Sequence, residues 1–328
     1  MQSKILGNTG VQVSELCFGT MSFGGDADRE ESKRMYERCR DAGINFFDCA
    51  DAYSAGRAEI ILGELIAEHR NELVITSKCF MPMPVDGNAG GGNRRHILAA
   101  VEKSLKRLKT DRLDILFMHR WDPVVPLEET LRALEQLVSD GKVVYLGASN
   151  YAAWQVSKGL GISAKNGWSR FDVLQPMYSL VKRQAESEIF PLALSEDLAV
   201  VTYSGTGGGL LSGKYAPDRR PDEGRIVTNQ EYASRYSESW VFETAEDFTA
   251  LANARGIHPV TLAIAWAAAH PAVTCPIIGA RNVGQLEASL SAVEVDMNAD
   301  LHAEIAALSR TPPPATDRLE EQLRAAAS

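Results

Sequence analysis

An eightfold alternation of short apolar runs and amphipathic segments predicts an α/β fold, a single (β/α)8 barrel in which residues 1–328 form one domain. The apolar runs are rich in β-branched residues, which is typical of strands. In the segments between them, apolar residues recur at three- and four-residue steps, as in helices that bury one face. No internal repeat or linker composition indicates a second domain.

The elements follow in order from the N-terminus. Residues Lys4–Val13, with Asn8-Thr9-Gly10 at their centre, predict a β-hairpin that closes the bottom of the barrel. The predicted strands are Leu16–Thr20, Ile44–Cys49, Leu73–Lys78, Leu113–His119, Val143–Ser149, Val173–Gln175, Val200–Ser204 and Val273–Ile278. The predicted helices include Arg29–Ala42, Ala58–His69, Arg95–Lys109, Leu127–Asp140, Ala185–Glu196 and Pro259–His270. Gly43 and Gly141 suit left-handed helix ends, and Pro259 suits a first helical turn.

Two long irregular stretches interrupt this order. Residues Met81–Asn93 are rich in Gly and Pro, and Gly205–Ser239 follow the seventh predicted strand. Loops of this length in a compact domain are usually functional covers or mobile segments. We therefore expect both stretches to serve the active-site face, which in such barrels is formed by the C-terminal ends of the strands.

The composition limits the classes of function. Hydrophobic residues make up 45% of the chain and charged residues 23%, as in a protein with a large buried core. The formal net charge of -9, with Lys and Arg scattered along the chain, argues against a nucleic-acid partner. The N-terminus lacks a signal-peptide pattern and no apolar run reaches membrane-spanning length, so we expect a cytoplasmic protein without membrane association. The five cysteines form no C-x-x-C pair and are expected to be reduced.

Polar side chains stand at the ends of several predicted strands, where functional residues of such barrels collect. Strand two ends at Asp48 and is followed by Tyr53, strand three ends at Lys78, and strand four ends at His119. Singly, each has an ordinary explanation, such as a helix cap, a solvated cation or a structural histidine. Together they supply a proton donor, a cation that tunes it, an anion that holds the cation, and a polarising imidazole.

At these residues the sequence resembles the aldo-keto reductases. The matching stretches follow in the correct order over nearly the whole chain: Ala42–Glu64, Leu73–Lys78, Ser104–Pro123, Gly141–Asn150, Gly207–Tyr215 and Cys275–Leu290. The resemblance implies that Asp48, Tyr53, Lys78 and His119 are a catalytic tetrad for NADPH-dependent reduction of an aldehyde or ketone to the alcohol, and for the reverse oxidation. It implies a small-molecule carbonyl or alcohol as the substrate.

The tetrad has a division of roles under this resemblance. Tyr53 would give a proton to the developing alkoxide while hydride arrives from C4 of the nicotinamide. Lys78 is expected to lower the pKa of Tyr53 below its free value of about 10. Asp48 would hold Lys78 in place, and His119 would orient or polarise the carbonyl oxygen.

Two glycine-rich strings resemble other nucleotide sites but fail in detail. Gly208–Lys214 matches most of a P-loop, yet Tyr215 follows where Ser or Thr should bind magnesium. Gly205–Leu210 lacks the last glycine of a dinucleotide fingerprint. The resemblance instead assigns this loop to the pyrophosphate of NADP(H). The implied cofactor contacts are Leu210, Gly213 and Lys214 at the pyrophosphate, Tyr203 and Ser204 beside the nicotinamide ring, Ser149, Asn150 and Gln175 at its carboxamide, and Gly279, Ala280, Arg281 and Gln285 at the adenosine 2'-phosphate.

The sequence departs from the family pattern in two places. Ala288 and Ser289 replace an acidic residue and an asparagine that are common near the adenine, so the preference for NADPH over NADH stays open. Gly205-Thr206 replaces a frequent Pro-Leu pair beside the nicotinamide.

The substrate itself is not indicated by the sequence, and neither is the oligomeric state. The expected lining of its pocket is Met21, Ser22, Phe23, Tyr53, Phe80, Arg120 and Trp121, with the loop Gly205–Ser239 and the tail after Ser309. An alternative function is that of a cofactor-binding, redox-sensing regulatory subunit of an ion channel with little turnover, a role that some barrels of this family have.

The histidines show no H-x-H or HExxH spacing, which argues against a metal-dependent hydrolase.

Overall fold

The computed structural model describes residues 1–82, 88–318 and 320. A β-hairpin precedes eight parallel strands that close into a barrel, each paired with the next along the chain and the last with the first. The hairpin strands are β1 (Ser3–Ile5) and β2 (Gln12–Ser14), and the barrel strands are β3 (Cys17–Gly19), β4 (Phe46–Asp48), β5 (Val74–Cys79), β6 (Leu113–Met118), β7 (Val143–Ser149), β8 (Phe171–Gln175), β9 (Ala199–Thr202) and β10 (Cys275–Ile278). The predicted (β/α)8, or TIM, barrel is confirmed.

Helices surround the barrel. They are α1 (Arg29–Asp41), α2 (Arg57–Leu65), α3 (Arg94–Leu108), α4 (Leu127–Ser139), α5 (Ala153–Asn166), α6 (Ile189–Ser195), α7 (Arg225–Thr228), α8 (Gln230–Arg235), α9 (Trp240–Ala254), α10 (Pro259–Ala268), α11 (Val283–Leu290) and α12 (Ala299–Ala307). Their apolar faces and the outer faces of the strands share one large buried cluster, as expected when helices cover a parallel sheet.

The structure differs from the predicted helices in two instructive places. Helices α5, α9, α11 and α12 were not among the helices named from the sequence, and in α5 Gly159 and Gly161 weaken the helical pattern. Gly159 is required by packing, since a Cβ there would lie 2.9 Å from the Phe171 ring. The predicted helix Ala185–Glu196 is shorter, beginning as α6 at Ile189. Pro191 lacks an N–H group and therefore fits only in the first turn of a helix.

The interior of the barrel is a packed core. It consists of Leu6, Val13, Cys17, Phe46, Val74, Ile115, Phe117, Val173, Ala199, Val201 and Cys275. Phe117 occupies space that Gly147 on the neighbouring β7 leaves open, because a Cβ at Gly147 would lie 2.3 Å from the Phe117 ring. Leu6 and Val13 come from the N-terminal hairpin segment, so the hairpin closes one end of this core as expected.

The long stretch Gly205–Ser239 has structure of its own. It contains a 3-10 turn at Gly207–Ser212 and the short helices α7 and α8. The Tyr236 hydroxyl lies 3.1 Å from Ser204 Oγ, and only 1% of Tyr236 is exposed. This contact ties the far part of the stretch to the rim of the barrel. Of the other long stretch, Met81–Asn93, residues 83–87 lie outside the described part of the chain.

The described helices are all too short or too polar to cross a membrane.

Candidate active site

A buried ion pair links neighbouring strands of the barrel. Asp48 ends β4, and Lys78 lies near the end of β5. The Lys78 ammonium donates to Asp48 Oδ2 at 2.5 Å, to the Cys49 carbonyl oxygen at 2.8 Å and to the Tyr53 hydroxyl at 3.2 Å. Burial opposes its charge, but Asp48 and Tyr53 raise the pKa of Lys78 above its ordinary value. The cation is therefore kept, and its three acceptors fix its position.

The second oxygen of Asp48 also has partners. Asp48 Oδ1 accepts hydrogen bonds from Thr76 Oγ1 at 2.8 Å and from Gln175 Nε2 at 2.9 Å. Thr76 was not anticipated, although it stands two residues before Lys78 on the same strand and therefore faces the same side. Gln175 was expected only at the nicotinamide, and its amide nitrogen is here bonded to Asp48. These contacts hold the carboxylate in one orientation.

The backbone after Tyr53 is unusual. Ser54 and Ala55 are left-handed, with φ of 50° and 56°, and Gly56 follows with φ of 87°. Each non-glycine residue in this conformation costs about 1–2 kcal/mol. The three residues turn the chain from the rim into α2. The strain is stored next to the candidate proton donor, which is where functional sites often hold it.

The hydroxyl group of Tyr53 does not titrate as the sequence led us to expect. Burial raises the pKa of Tyr53 to about 12, while the Lys78 ammonium acts in the opposite direction. The expectation of a pKa below about 10 is therefore wrong for the free protein. Lys78 acts in the expected direction, but the loss of solvent around the phenol is the larger effect.

His119 follows β6 and faces the same group. Its ring centroid lies 6.1 Å from that of Tyr53, and the rings meet edge to face. Burial, and then the positive charge of Lys78, lower the pKa of His119 to about 3. Its buried Nδ1 has no hydrogen-bond partner among the described residues. His119 is thus a neutral imidazole at physiological pH.

A hydrogen-bonded series of polar residues continues around the rim. Ser149 Oγ donates to the Gln175 carbonyl oxygen, Asn150 Nδ2 donates to the His119 carbonyl oxygen, and the Tyr203 hydroxyl donates to Asn150 Oδ1 at 2.7 Å. Asn150 and Ser204 are left-handed, with φ of 57° and 66°. The predicted nicotinamide contacts are therefore brought together on one side of the tetrad.

The glycine-rich stretch leaves the rim at Ser204. Gly208 and Gly209 have φ of 67° and 99°, and Gly213 has φ of 84°. Leu210 is fully buried, while Lys214 is exposed. The next helix is α7, which begins only at Arg225, so the strand, loop and helix of a P-loop are not formed. These glycines therefore place backbone that carries no side chain next to the polar rim.

The segment after β10 returns to the same edge. The Ser22 hydroxyl donates to the Ala280 carbonyl oxygen at 2.7 Å, and the Arg281 N–H donates to Gln285 Oε1 at 3.1 Å. Gly279 is exposed, and Asn282 caps the start of α11. Ser22 is 4% exposed, so its hydroxyl joins two loops. The expected contact of Ser22 with a substrate stays a prediction.

Among the other candidates for the substrate pocket, Phe23 is wrong, because it is fully buried in the core, whereas the rest are more open. Met21 is 39% exposed, Arg120 is exposed, and Phe80 is partly buried. Trp121 meets Tyr151 and Trp154 edge to face, with ring centroids 5.4 and 5.6 Å away. An aromatic surface therefore extends outward from the residue that follows Arg120.

One ionisable group near the tetrad is not part of it. Asp51 is 1% exposed, and neither of its carboxylate oxygens has a hydrogen-bond partner among the described residues. It lines a cavity of about 180 Å³ together with His96 and Arg107. Burial, and then the nearby Glu59 carboxylate, raise the pKa of Asp51 to about 7. Asp51 was not among the site residues predicted from the sequence.

Comparison with known proteins agrees with this geometry. A family model described as "Aldo/keto reductase family" matches residues 15–310. The chain belongs to the aldo/keto reductase family. No group of three His, Cys, Asp or Glu residues that could hold a metal occurs in the part of this aldo/keto reductase that the structure describes.

Individual relatives have different printed roles. An uncharacterized oxidoreductase of Bacillus subtilis (strain 168) is 35% identical over 92% of this chain and 94% of its own length. A protein of Arabidopsis thaliana named a probable voltage-gated potassium channel subunit beta is 35% identical over 90% of this chain and 92% of its own. Versiconal hemiacetal acetate reductase of Aspergillus parasiticus is 31% identical over 90% and 94%. This aldo/keto reductase is thus similar to oxidoreductases and to a channel subunit.

Proposed function

We propose that this aldo/keto reductase reduces an aldehyde or ketone to the alcohol with NADPH and catalyses the reverse oxidation. Asp48, Tyr53, Lys78 and His119 are the proposed catalytic residues. The supporting observation is the Lys78 ammonium, which lies 2.5 Å from Asp48 and 3.2 Å from the Tyr53 hydroxyl in a buried site. When bound, NADPH supplies the hydride that reaches the carbonyl carbon.

Tyr53 is the proposed general acid. With a pKa of about 12 it keeps its proton at neutral pH, so the phenol is ready to donate. The phenolate that remains after proton transfer lies beside the Lys78 ammonium, which stabilises the new negative charge. Asp48 holds Lys78 through a carboxylate whose two oxygens are both bonded. Neutral His119 can donate a hydrogen bond to the carbonyl oxygen.

The residues at the rim fit a nicotinamide dinucleotide. Asn150, Ser149 and the carbonyl oxygen of the Gln175 amide offer groups for a carboxamide, and the partly buried Tyr203 offers a ring face. The left-handed glycines before Lys214 permit close backbone approach to a pyrophosphate. Arg281 and the start of α11 offer a guanidinium and a helix N-terminus to the 2'-phosphate. Residues 1–328 would act as one domain on a small-molecule carbonyl or alcohol.

The cysteines support a reducing location. All five are buried and unpaired. Disulfide-free cysteines are usual for proteins of the cytoplasm, which is the location that we propose.

The test is turnover of a panel of aldehydes and ketones with NADPH. Wild type should oxidise NADPH in the presence of at least one carbonyl class, while Tyr53→Phe should bind NADPH with unchanged affinity and lose nearly all turnover. The variant removes only the phenolic oxygen and its proton. Reduction by Tyr53→Phe at close to the wild-type rate would contradict the role of Tyr53 as general acid.

A regulatory subunit is the second candidate function. The similarity to the Arabidopsis thaliana protein named a channel subunit beta favours it. The same panel separates the two functions. Tight NADPH binding by wild type with almost no turnover of any carbonyl would favour the redox-sensing role over the enzyme.

A further inference from the structure

The donors at the proposed 2'-phosphate site already have partners. Arg281 Nε lies 3.1 Å from Asp26 Oδ2. The backbone N–H of Val283, the first residue of α11, donates to Glu31 Oε1 at 2.8 Å. The N–H of Gln285 donates to the capping oxygen of Asn282 at 2.9 Å. Two acidic side chains from the region of α1 therefore pair with one nitrogen of the Arg281 guanidinium and with one helix N–H that a phosphate would use.

The position of these carboxylates is set by helix packing. Helix α1 lies against α11, and the Arg38 guanidinium binds the Glu287 carboxylate through two hydrogen bonds of 2.7 and 2.9 Å. Asp28 caps α1 by accepting from the Glu31 N–H at 2.9 Å. Glu31 is thus on a fixed first turn, and Asp26 lies two residues before the cap. The packing of α1 against α11 therefore places the carboxylates of Asp26 and Glu31 near the start of α11.

The two dinucleotides differ in how they meet such carboxylates. A 2'-phosphate monoester carries close to two negative charges at neutral pH and would share the Arg281 guanidinium with the Asp26 carboxylate, which lies at its Nε. Asp26 and Glu31 repel that charge. The free 2'-hydroxyl of NADH is neutral, and carboxylates in NAD sites commonly accept a hydrogen bond from it. The same two residues thus oppose NADPH and tolerate NADH.

We propose that Asp26 is a specificity-determining residue of the cofactor site, because its carboxylate competes with the 2'-phosphate for Arg281. Because Asp26 weakens the binding of NADPH but not that of NADH, it makes the affinities for the two dinucleotides more similar. This inference rests on the proposed function. Half of the Asp26 side chain is exposed, so solvent weakens the competition. Its effect on NADPH affinity should be about 3- to 10-fold.

The experiment compares Asp26→Asn with wild type by calorimetric titration of NADPH and NADH at low salt. The variant keeps the size of the side chain and removes its charge. Glu30→Gln is the matched control, since Glu30 is an exposed acidic residue in the first turn of α1. Asp26→Asn should tighten NADPH by about 3- to 10-fold and leave NADH unchanged or weaker. Glu30→Gln should change the ratio of the two affinities by less than about twofold.

A second readout uses fragments of the cofactor. Adenosine 2',5'-bisphosphate should bind Asp26→Asn more tightly than wild type, while AMP should not. The gain should shrink at high salt, because exposed charges are screened.

Three outcomes would overturn the inference. An unchanged ratio of NADPH to NADH affinity in Asp26→Asn would do so while leaving the proposed function intact. An equal change of this ratio in Glu30→Gln would mean that the effect comes from net charge and not from the position of Asp26. Binding of neither dinucleotide to wild type would overturn both this inference and the proposed function.

Discussion

Replacing Lys78 with Met tests the electrostatic part of the proposed mechanism. The Lys78 ammonium lies 3.2 Å from the Tyr53 hydroxyl. At an effective dielectric constant of about 20, opposite unit charges at this distance attract by about 5 kcal/mol. We expect the transition state, in which the phenol is losing its proton, to gain between about half and most of this attraction. Without it, Lys78→Met should lose roughly 10²–10⁴-fold in kcat.

The assay combines rates with a double-variant comparison. The reduction rate at neutral pH is measured for wild type, Lys78→Met, Asp48→Asn and the double variant, with NADPH affinity as the control. Asp48→Asn should lose less than Lys78→Met, since Thr76 and Gln175 still hold the side chain and the cation remains. The double variant should be little slower than Lys78→Met, because residues that act as one unit are not additive.

The pH dependence of alcohol oxidation provides a second measurement. This direction needs the phenolate, so its rate should rise with pH throughout the range below the raised pKa of Tyr53. Lys78→Met removes the group that opposes the effect of burial, so at each pH the variant should hold less phenolate and oxidise the alcohol more slowly. In the rate comparison, a double variant whose loss equals the sum of the free-energy losses of Lys78→Met and Asp48→Asn would refute the view that Asp48 acts through Lys78.

Arg281→Ala should weaken NADPH by about 1.5–3 kcal/mol and NADH much less, as measured by titration; equal losses would remove Arg281 from the phosphate site. Ala55→Gly should stabilise the protein by roughly 0.5–1 kcal/mol in urea unfolding, because Ala55 is exposed and left-handed; a loss of stability would refute the strain there. Asp51→Asn should stabilise the protein more at pH 8 than at pH 5, by about 2–3 kcal/mol. The sign follows because the pKa of Asp51 is raised to about 7 on folding, so its favourable protonated state is lost between about pH 4 and pH 7; equal effects at both pH values would contradict this.

The barrel and the convergence of the four candidate catalytic residues were predictable because both depend on local signals. Strand alternation and apolar periodicity located the strands to within a few residues. The ends of β4, β5 and β6 then placed Asp48, Lys78 and His119 at one rim. Since the strands are neighbours, their side chains meet without any detail of packing.

The remaining features depend on tertiary structure. The Gln175 amide reaches Asp48 across 127 residues of sequence, and Glu31 reaches Val283 across 252. Nothing in Ser54 or Ala55 favours the left-handed conformation that they adopt. The pKa of Tyr53 was misjudged because the charge beside it can be inferred from strand order, whereas the extent of its burial cannot.

The N-terminal hairpin has a consequence for the opposite end of the barrel. The family match begins at residue 15, after β2, yet Leu6 and Val13 complete the interior. Without them, water would enter the column of side chains beneath Asp48 and Lys78 and raise the local dielectric constant. The attraction on which proton transfer depends would weaken, and a chain that begins at Glu15 should show this in the pH dependence of kcat. We therefore expect the hairpin, which carries no proposed reactive group, to support the chemistry by keeping water out of the barrel beneath the ion pair.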